Sequence, residues 1–138
     1  RIIISGKHQK NATKKKEKHQ MNQKKVKRPY MDLHFVLEVF NVHTDKLTDA
    51  KQIEERCVRA CQYDNAKVLN ITTDKFGFCG VTCTVDLNET RLICTTWPEK
   101  QECAIDIITC GDNNPRGVAF SLLDYFDSDD YTMKDYAR

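Results

Sequence analysis

Nothing in these 138 residues approaches the ~20 consecutive apolar residues that a membrane-spanning helix needs. The short run Ile2-Ile3-Ile4 cannot serve as a span or an export signal. The expectation is therefore a soluble, cytoplasmic protein with no membrane partner. A zinc-type spacing is missing as well. Cys79 and Cys83 have no His or second Cys pair placed to complete a metal site. The seven cysteines are an odd count spread through apolar stretches, so they read as free thiols behaving like small hydrophobes. No internal repeat is present, and the length suits one domain with a real core.

An excess of charge of one sign is also nearly absent overall, since the net is only +2, yet the distribution is lopsided. Residues 1–28 carry eleven Lys/Arg against Glu17, while the remainder carries eleven against nineteen acids. The basic stretch has almost no apolar periodicity and cannot bury enough surface to offset its ordering entropy, which predicts a disordered leader over 1–30. Met21 or Met31 would make a natural start. The leader thus reads as an upstream extension in preference to a nucleic-acid-binding tail, and nucleic acid is not an expected partner. The folded domain is expected over 31–138.

Within it, residues 33–40 are β-branched and aromatic and read as a first strand. Thr48 or Asp49 can cap a helix to about Tyr63, with Ile53, Cys57, Ala60 and Cys61 on one face. Strands are expected at 67–73, 80–87, 91–97 and 103–110, with Phe76-Gly77-Phe78 as a loop carrying two aromatics. Asn114 and Pro115 open a second helix that buries Val118, Leu122, Leu123 and Phe126. The tail from Asp127 offers a further edge strand. The order predicts an α+β two-layer sandwich: a mainly antiparallel sheet with two helices packed on one face.

The most informative stretch is Glu89-Thr90-Arg91-Leu92-Ile93-Cys94-Thr95-Thr96-Trp97-Pro98-Glu99, followed by Ala104 to Asp112 with Asp106, Cys110 and Gly111. It resembles the processing site and active-site strands of the bacterial S-adenosylmethionine decarboxylases. In that family the sequence around the self-cleaving serine reads Glu-Ser-His, then His-Thr-Trp-Pro-Glu, then Thr-Cys-Gly. The resemblance covers roughly 33–125, is specific over 80–112, and implies the same sandwich.

Those decarboxylases make their own pyruvoyl group from the serine, and its ketone is the electron sink. The resemblance puts Thr90 at the serine, Thr82 at an assisting serine and Thr95 at the proton-handling histidine. Threonine at 95 cannot act as a base near neutral pH. Elimination at Thr90 would leave a bulkier 2-oxobutanoyl group, from a side chain stiff at χ1. The resemblance also implies pocket parts: Phe76 for stacking on adenine, worth roughly 0.5–1.5 kcal/mol beyond area burial, with Phe78 in the same loop a further substrate-binding candidate. Glu99 falls where ribose hydroxyls bind, Trp97 packs, and Cys110 falls at the family's catalytic cysteine. Glu89 precedes the bond cleaved in the family; in an uncut hairpin its carboxylate can anchor a cationic substrate and is the catalytic candidate.

S-adenosylmethionine is already activated, because its sulfonium is an excellent leaving group. Its own carboxylate can close on the γ-carbon, and well-oriented intramolecular steps reach effective molarities of ~10⁵–10⁸ M. Such closure needs no acid, base, metal or cofactor. The expected products are 5′-methylthioadenosine and homoserine lactone, or homoserine if water attacks. This activity is similar to that of phage S-adenosylmethionine lyases, which act against host restriction. A regulatory S-adenosylmethionine-binding homologue, and a decarboxylase processed at Thr90, are the alternatives. The family's active sites lie at subunit boundaries, which implies a homo-oligomer, dimer or trimer.

Overall fold

The computed structural model describes residues 3–5, 32–62, 67–110 and 115–137. Seven strands form one sheet: β1 (Ile3–Ser5), β2 (Asp32–Phe40), β3 (Val68–Phe76), β4 (Gly80–Leu87), β5 (Thr90–Trp97), β6 (Glu102–Cys110) and β7 (Asp130–Ala137). Their spatial order is β1-β7-β2-β6-β5-β4-β3, and each neighbouring pair is antiparallel. Helices α1 (Thr44–Thr48), α2 (Ala50–Cys61) and α3 (Pro115–Phe126) complete the fold, with a 3₁₀ turn at Pro98–Lys100.

Strand alternation separates the two faces of the sheet. Phe35, Leu37, Val39, Val81, Cys83, Val85, Leu92, Cys94, Cys103, Ile105 and Ile107 are buried against the helices. From those helices Ile53, Cys57, Ala60, Val118, Leu122 and Phe126 fill the same core. Full burial of a large aliphatic or aromatic side chain contributes about 1.5–3 kcal/mol, so this layer carries the stability. The opposite face, with Val36, Thr84, Ile93, Ala104 and Asp106, has no layer of described residues over it and stays half-buried. The expected α+β sandwich is therefore present, with one covered and one open face.

Asp49 caps α2 by accepting from the Gln52 amide at 3.1 Å, as its side-chain chemistry favours. The structure adds a third helix to the two expected. Helix α1 is only five residues long and is capped by His43, which is not among the residues that signal a cap. Buried Thr96 holds it down: its hydroxyl donates to the Leu47 carbonyl at 2.7 Å and accepts from the Val81 amide at 2.9 Å. Two further expectations are corrected. Phe76 is the last residue of β3, not a loop residue. The tail strand β7 is not the edge, because β1 pairs outside it; the leader's one β-branched run, Ile3-Ile4, supplies that pairing. The rest of the expected disordered leader, residues 1–2 and 6–30, lies outside the described residues.

Arg116 is buried at the start of α3, ion-paired with Asp135 and lying 5.3 Å from the Phe35 ring centre. A buried charge persists only when partnered in this way. Sequence periodicity had no means of placing a charge inside.

Candidate active site

The register sorts the sequence-predicted residues into two groups at opposite ends of β4 and β5. At one end Phe76 faces Gly80, and Trp97 faces Glu102. Continuing the β4–β5 register from Thr82–Thr95 sets Gly80 beside Trp97, so Phe76, Gly80, Trp97 and Glu102 form one row. The Phe76 ring lies directly over Gly80: a Cβ there would sit 2.8 Å from the ring's Cζ. Glycine at 80 is what seats this aromatic. Phe78 stands almost wholly in solvent at 88% exposure, in a turn made by positive φ at Gly77 and Cys79. Glu99 is exposed on the 3₁₀ turn that Pro98 starts immediately after Trp97.

Two positions in from that row, Thr82 and Thr95 are direct cross-strand partners on the open face, half-exposed. Neither side chain titrates near neutral pH.

At the other end the Asn88–Glu89 turn joins the strands, with Glu89 exposed. Thr90 pairs with Thr109, and the Cys110 amide donates to the Glu89 carbonyl at 2.9 Å. Cys110 is exposed and alternates onto the open face. Thr90 alternates with Leu92 and Cys94 toward the helix-covered side. Arg91, on the open face, donates from Nε to Asp86 at 2.6 Å.

Seven residues of strand separate Thr90 from Trp97, about 23 Å at the usual rise. The structure thus brings Glu89, Thr90 and Cys110 together, and Phe76, Trp97, Glu99 and the Thr82–Thr95 pair together. It does not unite the two groups within one chain.

Sequence reasoning missed His34, whose Nε2 lies 3.0 Å from Asp106 Oδ1 on the open face beside the Tyr136 ring. A histidine at an outward position of an otherwise β-branched strand was the available signal. Among the described residues no group of His, Cys, Asp and Glu is placed to hold a metal ion. A cavity lined by Phe120, Leu123, Asp124, Asp127, Ser128 and Asp129 lies at the α3–β7 corner, and none of the predicted site residues line it.

The core thiols are held protonated. Burial pushes Cys61 up to about 12 and raises Cys103 further, while a hydrogen bond with Cys57, and then burial, raise Cys83. They pack and do not react. The exposed thiols, Cys79 and Cys110, sit one at each end of the site residues.

A family model described as S-adenosylmethionine decarboxylase matches residues 33–138, which include both ends. The chain belongs to this family. The S-adenosylmethionine decarboxylase proenzyme of Carboxydothermus hydrogenoformans is 31% identical over 103 residues, 75% of this chain and 74% of the relative. That of Moorella thermoacetica is 33% identical over 106 residues, 76% of this chain and 85% of the relative. The crystal structure of the adenosylmethionine decarboxylase from Aquifex aeolicus superposes with a TM-score of 0.66, covering 80% of this chain and 92% of that one. At 24% identity that likeness establishes the fold. This member of the S-adenosylmethionine decarboxylase family therefore has the family's antiparallel sheet with helices on one face. No helix among its described residues is long and apolar enough to cross a membrane.

Proposed function

We propose that this protein binds S-adenosylmethionine and cleaves it without a pyruvoyl group, giving 5′-methylthioadenosine and homoserine lactone. The observation that carries the reading is the pairing of Thr82 with Thr95 on the open face. Where the family resemblance calls for an assisting serine and a proton-handling histidine, the chain offers two threonine hydroxyls, beside pocket parts suited to an adenosyl ligand.

In the proposed step the substrate carboxylate attacks its own γ-carbon. The C–O bond forms as the C–S bond breaks, and the leaving pair returns to sulfur as a neutral thioether. Two opposite charges cancel, so a water-poor pocket that holds the folded conformer favours the step. Glu89 keeps its carboxylate in an uncut hairpin and anchors the cationic substrate. Phe76 stacks on adenine, Trp97 backs it, and Glu99 accepts from the ribose hydroxyls. Phe78, at the exposed turn, closes over the base. A second copy supplies one of the two ends, because about 23 Å within one chain is too far for one small molecule to bridge. The protein is on this reading a homo-oligomer with its sites at the subunit boundary.

A second reading, self-cleavage between Glu89 and Thr90 followed by decarboxylation, has one observation in its favour. The Cys110 amide hydrogen-bonds the Glu89 carbonyl, the group a Thr90 hydroxyl would attack. The residues do not fit a processed cofactor there. Thr90 turns to the covered side with Leu92, whereas Thr82, Thr95 and Cys110 occupy the open face.

Incubating the purified protein with S-adenosylmethionine separates these readings by chromatography and intact mass. Methylthioadenosine with an unbroken chain supports cleavage. Decarboxylated product with a split chain overturns it, and no product leaves a binding homologue that acts on a partner decarboxylase.

A further inference from the structure

The basic strand side chains on the open face, among the described residues, are His34, Arg91 and Lys134, and each meets a carboxylate. His34 Nε2 lies 3.0 Å from Asp106, and Lys134 Nζ lies 3.7 Å from Glu38. Arg91 stands apart. Its side chain is 59% exposed, against 28% and 31% for the other two, and Asp86 engages only its Nε, at 2.6 Å. Among the described residues nothing else bonds this guanidinium. Its remaining N–H bonds are therefore held as a planar fork of fixed direction, the geometry that grips a carboxylate.

The surroundings of the fork are specific. Arg91 pairs with Asp86 beside the Asn88–Glu89 turn, and with half-buried Ile108 on its other side. Glu89, exposed on that turn, stands two residues before it. One hairpin end thus offers an anion, a cationic fork and an apolar side chain. These complement the ammonium, the carboxylate and the methylene carbons of an α-amino acid. Arginine also keeps its charge at every working pH, unlike the histidine that the family's Glu-Ser-His places at this position.

We infer that the turn end is the subsite for the α-amino-acid end of the ligand, with Arg91 binding its carboxylate end-on and Glu89 its ammonium. The inference rests on the proposed function and adds the group that fixes where the attacking carboxylate lies. Ring closure needs that carboxylate pointed at the γ-carbon, and orientation is the main source of an intramolecular rate. The carboxylate loses its charge as the ring closes. The fork therefore grips the bound substrate most tightly, and its removal shows chiefly in affinity. The same fork selects against adenosyl compounds that lack the carboxylate.

Calorimetric titration of the full-length protein tests this with two thioethers that cannot be cleaved as sulfoniums. S-adenosylhomocysteine has the amino-acid end, and methylthioadenosine lacks it. Wild-type protein should bind S-adenosylhomocysteine about tenfold or more tightly than methylthioadenosine. Arg91→Gln, an exposed substitution checked by its melting temperature, should weaken S-adenosylhomocysteine by about 10–100-fold and leave methylthioadenosine unchanged. Arg91→Lys should recover part of the loss. Asp86→Asn releases Nε but keeps the fork's charge, and should cost less than Arg91→Gln. No preference for S-adenosylhomocysteine in the wild type, an equal loss of both ligands in Arg91→Gln, or a larger loss in Asp86→Asn would overturn the subsite. Methylthioadenosine formation from S-adenosylmethionine with a KM unmoved by Arg91→Gln would overturn the subsite and leave cleavage standing. The expected binding pattern in a protein that forms no product would leave the subsite standing and sink the cleavage reading.

Discussion

The two ends of the β4–β5 hairpin differ in what they can do. The turn end holds groups suited to charge and reaction: the exposed Glu89 carboxylate, the Glu89 carbonyl bonded to the Cys110 amide, and an exposed thiol. The far end holds groups suited to grip: Phe76 seated over Gly80, Trp97 in the same row, and Glu99 on a rigid turn. On the proposed function, neither end is a site alone. The difference teaches that a linear motif can be contiguous in sequence and still supply two separate half-sites, because an extended strand carries its residues apart at about 3.3 Å each.

The largest effect should come from the reactive end. Glu89→Gln keeps size and hydrogen bonding but removes charge, and should lower methylthioadenosine formation by about 10²–10³-fold, the scale for losing one well-placed charge-stabilising group. Unchanged turnover would return Glu89 to an ordinary turn acid. Next comes complementation. Mixing Glu89→Gln with a Phe76→Ala/Glu99→Gln double variant, assayed at substrate well below KM where each is weak alone, should restore about a quarter of wild-type activity if each site draws one end from each copy. Additive residual rates would show that each chain uses its own two ends.

A smaller change belongs to the gripping end by itself. Phe76→Ala should raise KM up to about tenfold with little loss of kcat, since stacking is worth roughly 0.5–1.5 kcal/mol and is made alike in ground and transition states. A fall in kcat with KM unchanged would move Phe76 to the reactive half.

The smallest effect separates both ends from the core between them. A thiol whose folded pKa is raised favours folding in its neutral form. That contribution is complete below the unfolded value near 8.5 and is lost as pH rises toward the folded value, about 12 for Cys61. Tm should hold level from pH 7 to about 8.5 and then decline, less steeply in Cys61→Ala once its lower starting Tm is subtracted. A Tm that climbs between pH 9 and 11 would contradict the assigned direction.

Most of the fold was legible because its elements are strongly patterned. β4 matches its expected bounds of 80–87, and Asp49 caps α2 as its chemistry suggested. Illegible were the features that depend on distant partners. Helix α1 is too short to carry a period and depends on Thr96 beneath it. Arg116 is buried only because Asp135 and Phe35 arrive from other strands. The site was half legible. The motif supplied the candidate residues, but spacing along a chain says nothing about which side of a strand Thr90 takes, or that Phe76 and Glu89 stand at opposite ends. His34 was passed over because its meaning rests on Asp106, seventy-two residues away.

The most direct test of the account remains the untagged protein incubated with S-adenosylmethionine, with small-molecule products and intact protein mass read from the same sample. The account predicts methylthioadenosine and homoserine lactone beside an intact chain. Decarboxylated S-adenosylmethionine beside fragments ending at Glu89 and beginning at Thr90 would contradict it.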